Sequence, residues 1–431
     1  MTKHFDAIVV GAGPAGSLAA LKLAQAGLEV ALIERGKHPG AKNMFGGLLH
    51  NTPALTEALP SFWERAPLER YAFKKTIAFM TPTAALSLAF KTQDFGEAPA
   101  NGYTVFRPVF DSWLAGEAVR EGASLLCDCA AEDLLYKDGR VNGVAIKGRG
   151  ELRGNIVIAA DGALSFLSQK AGLRRNHSPE DMGLGIKLLL GLPKETIDER
   201  FNLSRNEGAD ISLLGITGGL PGGGFLYTNH DSISLGMVLH LASLKASGKT
   251  PYEILDKLQH HPQIRKLIKG AVPLEYSAHL IPEGGIKAMP QIYTDGMMVV
   301  GDAAGLCYTN GINLEGINLA MTSGALAAET AIKAIEATDY SARMLASYKD
   351  RLKDSFVLKD MKTFGKAVDM MRVERLYQTY PEIICNILEK IYRVEGTPRS
   401  KIMKLGRREV LDKVKLTDLV ADGIKIGRAL L

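Results

Sequence analysis

Cysteine is scarce in this chain: four residues among 431, Cys127, Cys129, Cys307 and Cys385. That excludes a disulfide-stapled scaffold. No pair has CxxC spacing, and a four-iron cluster or a structural zinc site needs its ligands gathered closely, so no metal site is expected. Cys127 and Cys129 stand two apart, which on a strand would put them on one face; buried, reduced thiols of a cytosolic protein are expected. Long apolar runs are missing too. No 18 consecutive apolar residues occur, which excludes a spanning helix and leaves open a chain that lies on a membrane. The opening Met-Thr-Lys-His-Phe-Asp leads straight into a strand pattern, without the apolar region of an export signal. Charge of one sign is nearly lacking: 52 Lys and Arg against 47 Asp and Glu leave +5, too little to argue for nucleic acid. There is no internal repeat and no low-complexity stretch. With 46% hydrophobic and 23% charged residues, the chain reads as an ordinary globular protein of two or three domains.

Glycine, in contrast, is in excess and clustered: 45 residues, about 10% where about 7% is usual. Residues 6–10 read as a short buried strand. Gly11-Ala-Gly13-Pro14-Ala15-Gly16 follows, then a helical pattern over 17–26, a second strand over 28–33, and Glu34 with Arg35 beside it. This is a β-α-β unit with GxGxxG at its first turn and an acidic residue 18 positions after the last glycine. Gly11 permits the tight turn, Gly13 lets a pyrophosphate approach the backbone, and Gly16 lets the helix pack close to the strand. The helix N-terminus offers free N–H groups and a positive dipole end to phosphates. Glu34 can accept hydrogen bonds from both hydroxyls of an adenosine ribose. The motif specifies a dinucleotide without choosing between NAD and FAD.

The choice comes from a late segment. After Asp295-Gly296, residues 297–300 read as a strand, Gly301-Asp302-Ala-Ala-Gly305 as a glycine-bearing loop, and 314–337 as a long Ala-rich helix. A carboxylate at a strand end, in a loop without bulk, suits the polyhydroxylated ribityl chain of a flavin, which NAD lacks. A helix following Gly311-Ile312-Asn313 would aim its N-terminus at the negative charge of a reduced flavin ring. Residues 156–160 followed by Asp161-Gly162 repeat the strand-then-Asp-Gly pattern, which by itself is equally a common turn.

In this order, the three glycines, Asp161-Gly162 and Gly301-Asp302 resemble the flavoprotein group that includes aromatic hydroxylases, geranylgeranyl reductases and electron-transfer-flavoprotein:quinone oxidoreductases. Gly40-Ala-Lys42-Asn-Met-Phe-Gly46-Gly47 resembles the segment of the last family that borders the flavin ring. Residues 222–229, Ser234-Leu-Gly236 and 275–284 are similar to its FixC branch. By that resemblance Arg107 contacts FAD; from the residues alone it opens an amphipathic helix, with Phe110, Trp113 and Leu114 inward, and equally suits a solvated cap. The resemblance implies an α/β fold: a Rossmann-like FAD-binding domain of the glutathione-reductase type, as in aromatic hydroxylases, an inserted antiparallel-sheet substrate domain and a helical C-terminal region. The FAD layer is expected at 1–75, 100–180 and 280–340, the quinone sheet at 76–99 and 181–279, and the helical region at 341–431. Alternating apolar residues over 77–80, 85–90 and 232–238 support the second sheet. Residues 251–268 read as a helix interrupted at His261-Pro262, with His260 and His261 as ordinary surface residues.

The single-chain quinone oxidoreductases of this family carry closely spaced C-terminal cysteines for a cluster, whereas only Cys385 follows Cys307 here. The resemblance therefore implies a separate small ferredoxin-like iron–sulfur protein, a two-subunit electron-transfer flavoprotein as donor, and FAD that reduces a membrane quinone. It also implies peripheral attachment on the cytoplasmic side of the cell membrane. Such complexes can bifurcate electron pairs from NADH between quinone and ferredoxin, which the sequence leaves open. Tyr227, Tyr276 and His279 are candidates for the quinone pocket, although strand tyrosines are ordinarily core or interface residues. Residues 399–431 hold nine Lys and Arg against four Asp and Glu, an excess equal to that of the whole chain. Arg407, Arg408, Lys413, Lys415, Lys425 and Arg428 alternate there with Leu411, Val414, Leu416, Leu419, Val420 and Ile424. That pattern suits an interfacial helix on anionic lipid, a docking face for an acidic ferredoxin, or a solvated face. Other activities share the fold. A geranylgeranyl-reductase-like enzyme would saturate isoprenoid double bonds, but those relatives carry Tyr-x-Trp-x-Phe-Pro, and neither Trp63 nor Trp113 has that context. An aromatic hydroxylase would take electrons directly from NAD(P)H, and a scaffold subunit would keep its flavin for structure alone.

Overall fold

The opening β-α-β pattern folds around its glycines, and the rest of a parallel sheet grows from it. The computed structural model describes residues 4–42, 47–175, 177–396 and 398–430. In chain order its strands are β1 (His4–Val10), β2 (Val30–Ile33), β3 (Gly47–His50), β4 (Leu68–Met80), β5 (Ala85–Lys91), β6 (Gly102–Val105), β7 (Ser124–Leu126), β8 (Ala131–Lys137), β9 (Arg140–Ile146), β10 (Gly150–Ala159), β11 (Met182–Gly191), β12 (Glu207–Leu214), β13 (Gly222–Thr228), β14 (Ser232–His240), β15 (Val272–Pro282), β16 (Tyr293–Thr294), β17 (Met297–Val299), β18 (Tyr308–Thr309) and β19 (Leu314–Glu315).

The first sheet has the order β16-β17-β10-β1-β2-β7, with the β8–β9 hairpin added to β10. β17, β10, β1, β2 and β7 run parallel. The apolar residues of β1, β2 and β17 are buried on both faces, as a parallel sheet covered by helices requires. The helices Pro14–Gln25, Arg107–Arg120 and Ile317–Glu336 share its core. The first and last of these approach so closely that a Cβ on Gly324 would stand 2.0 Å from the carbonyl oxygen of Ala15.

The second sheet has the order β15-β11-β14-β13-β12-β4-β6-β3, with β5 paired to β4. One face is apolar: Ile186, Leu188, Leu190, Leu235 and Met237 pack with Ile254 and Leu258 of the Pro251–His260 helix. Strand alternation turns the other face toward the first layer. This sheet is not wholly antiparallel. β12 lies parallel to β4, because the chain re-enters the sheet there from a separate excursion rather than through a hairpin. It also takes β3, the first half of β4 and β6 from stretches expected in the FAD layer; four-residue strands carry too little pattern to reveal which sheet they join.

Three local expectations differ from the structure. The helix expected from 314 starts at Ile317, because Tyr308–Glu315 folds into the β18–β19 hairpin. Gly311-Ile312-Asn313 is its turn, in which the Asn310 Oδ1 accepts from the backbone N–H groups of Ile312 (3.0 Å) and Asn313 (2.8 Å). β7 stops at Leu126 and Asp128 has φ 51°, so Cys127 and Cys129 are not on a strand. The 251–268 segment does break before Pro262, but His261 is buried: its Nε2 meets the Thr81 carbonyl at 2.7 Å and its Nδ1 accepts from the Gln263 N–H.

The C-terminal stretch is helical, ending in Ile402–Lys413 and Leu416–Leu430. The last helix is held through Asp422, whose buried carboxylate accepts from the Arg375 guanidinium and from the Tyr380 hydroxyl (2.6 Å).

Replacing Gly324 by valine is expected to force the two helices apart and destabilise the protein by about 1–3 kcal/mol or more. Thermal unfolding measures it, and a midpoint equal to that of the unsubstituted protein would show that the close approach is dispensable.

Candidate active site

β1, β10 and β17 end side by side, and the loops that leave them form one wall of a cleft of about 780 Å³. Gly11 leaves β1 with φ 104°, and a Cβ there would stand 2.2 Å from the Ala160 carbonyl oxygen at the end of β10. A Cβ on Gly16 would stand 1.9 Å from the Gly11 carbonyl oxygen, which sets the helix hard against the turn. Gly13 faces open space; the nearest atom to a Cβ there is an Arg107 guanidinium nitrogen at 3.9 Å. The helix behind Gly13 begins with Pro14 and has no acidic residue in its first turn. Its first-turn N–H groups not spent on the helix thus border an open cradle beside a cation, which fits a phosphate. Glu34 is held at the end of β2 by the backbone N–H groups of Ala12 (3.1 Å) and Gly36 (2.6 Å), which both donate to its carboxylate. From β17 comes Gly301, where a Cβ would stand 3.0 Å from that of Ala15, and then Asp302. The stretches near residues 11 and 302 converge on one cleft.

Of the residues expected to bind FAD, all the described ones except Gly16 line this cleft. Gly46 lies outside the described residues. Gly47 and Lys42 border the cleft, as does the Gly311–Asn313 turn, whose Asn313 Oδ1 stands 3.5 Å from the Ser212 hydroxyl. That turn does not start the long helix. Gly316 and Ile317 do, and they also line the cleft, so the positive end of the Ile317–Glu336 helix faces it.

Arg107 is a held cation rather than a solvated cap. Burial opposes its charge, but Asp111, fully buried beneath it, accepts from its Nε and Nη2 (both 2.9 Å) and holds its pKa above the ordinary value. The Asp161 carboxylate accepts from the Ser165 hydroxyl (2.9 Å) and the Leu167 N–H (3.0 Å), so it caps the short Phe166–Lys170 helix while bordering the cleft. Burial pushes the Asp302 carboxyl up against the opposing pull of His279 and Arg107, and burial pushes His279 down against the pull of Asp302.

The second sheet supplies the opposite wall. Phe225 stacks on Tyr227 (centroids 5.0 Å, 17° between planes), and Lys75 Nζ pairs with Asp210 Oδ2 at 2.8 Å. Burial, with Asp210 adding to it, holds the Tyr227 phenol well above its usual pKa. Tyr227 and His279 line the cleft, and Tyr276 does not. Tyr276 pairs with Leu188, on the face turned away, and is 48% exposed. Residues 276 and 279 are three apart on one strand and must point opposite ways.

Lys187 and Glu283 are among the cleft residues that were missed. Lys187 lies within an apolar run on β11, and a lysine in such a run was the signal. Glu283 has no partner motif; it occupies space left by Gly183, where a Cβ would come within 2.5 Å of its carboxylate, and burial raises its pKa to about 7. Among the described residues no group of three His, Cys, Asp or Glu could hold a metal ion.

The chain matches three family models: FAD dependent oxidoreductase over residues 6–178, ETF-QO ubiquinone-binding over 183–281, and the ETF-QO/FixC family C-terminal domain over 366–431, ETF-QO being electron-transfer-flavoprotein–quinone oxidoreductase. Protein FixC of Bradyrhizobium diazoefficiens is 40% identical over 99% of both chains. The chain belongs to the ETF-QO/FixC family. It is an FAD-dependent oxidoreductase of that type. The probable electron transfer flavoprotein-quinone oxidoreductase YdiS of Escherichia coli is 41% identical over 99% of each chain, and FixC of Azotobacter vinelandii 41% over the full length of both. A geranylgeranyl bacteriochlorophyll reductase-like structure from Thermoplasma acidophilum superposes with a TM-score of 0.73 at 21% identity, covering 98% of this chain and 99% of its own. The flavin-dependent brominase Bmp2 superposes at 0.64 with 17% identity, covering 94% of each. These two likenesses show the fold. In this ETF-QO/FixC chain FAD, when bound, would supply the redox chemistry, and the cradle at Gly13 and Arg107 fits its phosphates.

Two outcomes are expected. Arg107→Lys keeps a cation over Asp111 but loses the fork geometry, and FAD affinity should fall about tenfold, or about 1.4 kcal/mol, by titration of the apoprotein. Glu283 is protonated in the folded state up to about pH 7 but in the unfolded state only up to about 4.5. Rising pH therefore favours unfolding across that interval. Glu283→Gln removes the effect, so its stability advantage should grow from about pH 4.5 to 7 and then level off, as denaturant unfolding at a series of pH values would show.

Proposed function

We propose that this chain passes electrons from a two-subunit electron-transfer flavoprotein, delivered through a separate ferredoxin-like iron–sulfur subunit, to a quinone held between FAD and the second sheet. The observation that carries this reading is the cleft itself. Its far wall is built by β11 to β15, within the stretch matched by the ubiquinone-binding family model, and it faces the loops of Gly13 and Asp302. The name of the Escherichia coli relative, which pairs electron transfer flavoprotein with quinone, supports the donor and acceptor classes. Four scattered cysteines support a cluster carried by another subunit. An assembly of this composition can bifurcate electrons, and nothing in the sequence decides whether this one does.

The same reading places the chain on the cytoplasmic face of the cell membrane as a peripheral subunit. Among the described residues no helix is long and apolar enough to cross a membrane. On the final helix Leu416, Val420 and Ile424 stand four apart and are at least half exposed, and Met403 on the preceding helix is 84% exposed. Lys415, Lys425 and Arg428 flank that stripe, the pairing of apolar and basic side chains that suits an anionic lipid surface.

The purified chain should show an oxidised-flavin spectrum, and after anaerobic reduction it should be reoxidised by a short-chain ubiquinone. A colourless protein that takes up no FAD, or a reduced flavin indifferent to quinone, overturns the assignment. Vesicles rich in anionic lipid should bind the chain, and the triple substitution Leu416→Glu, Val420→Glu and Ile424→Glu should weaken binding about tenfold or more. Equal sedimentation of both proteins with the vesicles would remove the membrane face.

A further inference from the structure

A lysine inside an apolar strand is costly unless something uses its charge. Lys187 lies on β11 between Ile186 and Leu188 and is 1% exposed. Its two neighbours enter the core behind the sheet, so alternation turns Lys187 into the cleft, which it lines. Its ammonium stands 5.4 Å from the centroid of Phe225, another cleft residue.

The strand beside it, β15, is the edge of the sheet. Ser277 lies directly opposite Lys187, Glu275 opposite Leu189 and His279 opposite Gly185, so all three share the face of Lys187. The Ser277 hydroxyl is buried and has no hydrogen-bond partner among the described residues. Glu275 is only partly buried, and its charge acts on Lys187. Glu275, Ser277 and Lys187 thus form one row on this face of the sheet, with the Ser277 hydroxyl bonded to neither of the other two.

We propose that Lys187 donates a proton to the quinone and is recharged from solvent through Glu275. This rests on the reading of the cleft as the place where FAD and quinone meet. Turning a quinone into a quinol takes two electrons and two protons. FAD bound in the cleft in its reduced, anionic form would supply two electrons and one proton. The second proton comes from Lys187: its Nζ–H bond breaks, an O–H bond forms on the quinone oxygen, and the neutral amine regains a proton relayed from Glu275, which water reprotonates. Burial and the charge of Arg107 lower the Lys187 pKa to about 7 against the pull of Glu275, and burial raises that of Glu275, so burial brings the proton affinities of the two groups closer together. The other charged or titratable groups around it are Arg107 from the Arg107–Arg120 helix, His279 on β15 with Asp302 beyond it, and Tyr227 with the Lys75–Asp210 pair across the sheet.

The test uses the full chain with FAD bound. Lys187→Met should keep the flavin spectrum. Its flavin reoxidation by a short-chain ubiquinone should slow about a hundredfold. It should also lose the fall in rate that the unsubstituted protein shows as pH rises through about 7. Lys187→Arg, charged but without a transferable proton, should show the same loss. Glu275→Gln should slow the reaction in dilute buffer and recover in concentrated imidazole, which a merely structural role would not produce. Competitive acetylation with acetic anhydride, read by peptide mass spectrometry with and without FAD, gives a measure independent of turnover. Lys187 should become reactive near pH 7, while exposed lysines do so near about 10.4. Labelling of Lys187 at the pH of the surface lysines, or a Lys187→Met protein with unchanged rate and pH profile, overturns the proposal alone. A wild-type protein that binds FAD but reduces no quinone overturns the parent reading and this one with it.

Discussion

The structure depends on three backbone approaches that admit no side chain: Gly11 against the Ala160 carbonyl, Gly16 against the Gly11 carbonyl, and Gly324 against the Ala15 carbonyl. The first two bind the end of β1 to the end of β10 and to the helix that follows. The third clamps the long Ile317–Glu336 helix over the same turn. Because β1, β10 and β17 run parallel, the loops that leave them emerge on one edge, and the clamp makes that edge rigid. The cradle at Gly13, the carboxylate of Glu34 and the Gly301-Asp302 loop then hold fixed relative positions. Close packing transmits that rigidity, since a packed interior deforms little.

The second sheet meets two demands at once. Its outer face is apolar and closes its own core under the helices between residues 194 and 267. Its inner face carries Lys75, Asp210, Lys187, Glu275 and His279, groups that an isolated sheet would leave in water. Covering them with the first layer strips away solvent, which displaces the protonation of Lys187, Glu275 and His279 in the directions expected of buried groups. A cleft lined by perturbed titratable groups beside a dinucleotide cradle is the physical signature of a reaction site. Asp111 fixes the Arg107 guanidinium between the layers, and the Arg107 charge contributes to the low pKa of Lys187.

Much of the FAD layer was legible because its signals are local. The turn glycines, the helix between them and the acid after β2 lie within 24 consecutive residues, where spacing alone sets geometry. Gly301-Asp302 was legible for the same reason. The hairpin at 308–315 was hidden by a run whose helical pattern continues backwards into it, and its turn is set by one side chain, Asn310. Tyr276 was an unsound candidate beside His279, since strand alternation already separates positions three apart; what was missing was which of the two faces the cleft.

By itself the sequence determined the dinucleotide turn, the flavin-type order of motifs, the family and the division into a parallel layer, a second sheet and a helical end. Each of these is written in contiguous stretches, where the chain's own periodicity and turn chemistry suffice. Only the tertiary structure decided that β12 lies parallel to β4, that Gly324 sits on Ala15, and that Lys187, Ser277 and Glu275 form one row. Those facts are registers between segments tens to hundreds of residues apart. They are set by which apolar faces can close a core together, a condition no single stretch of chain contains.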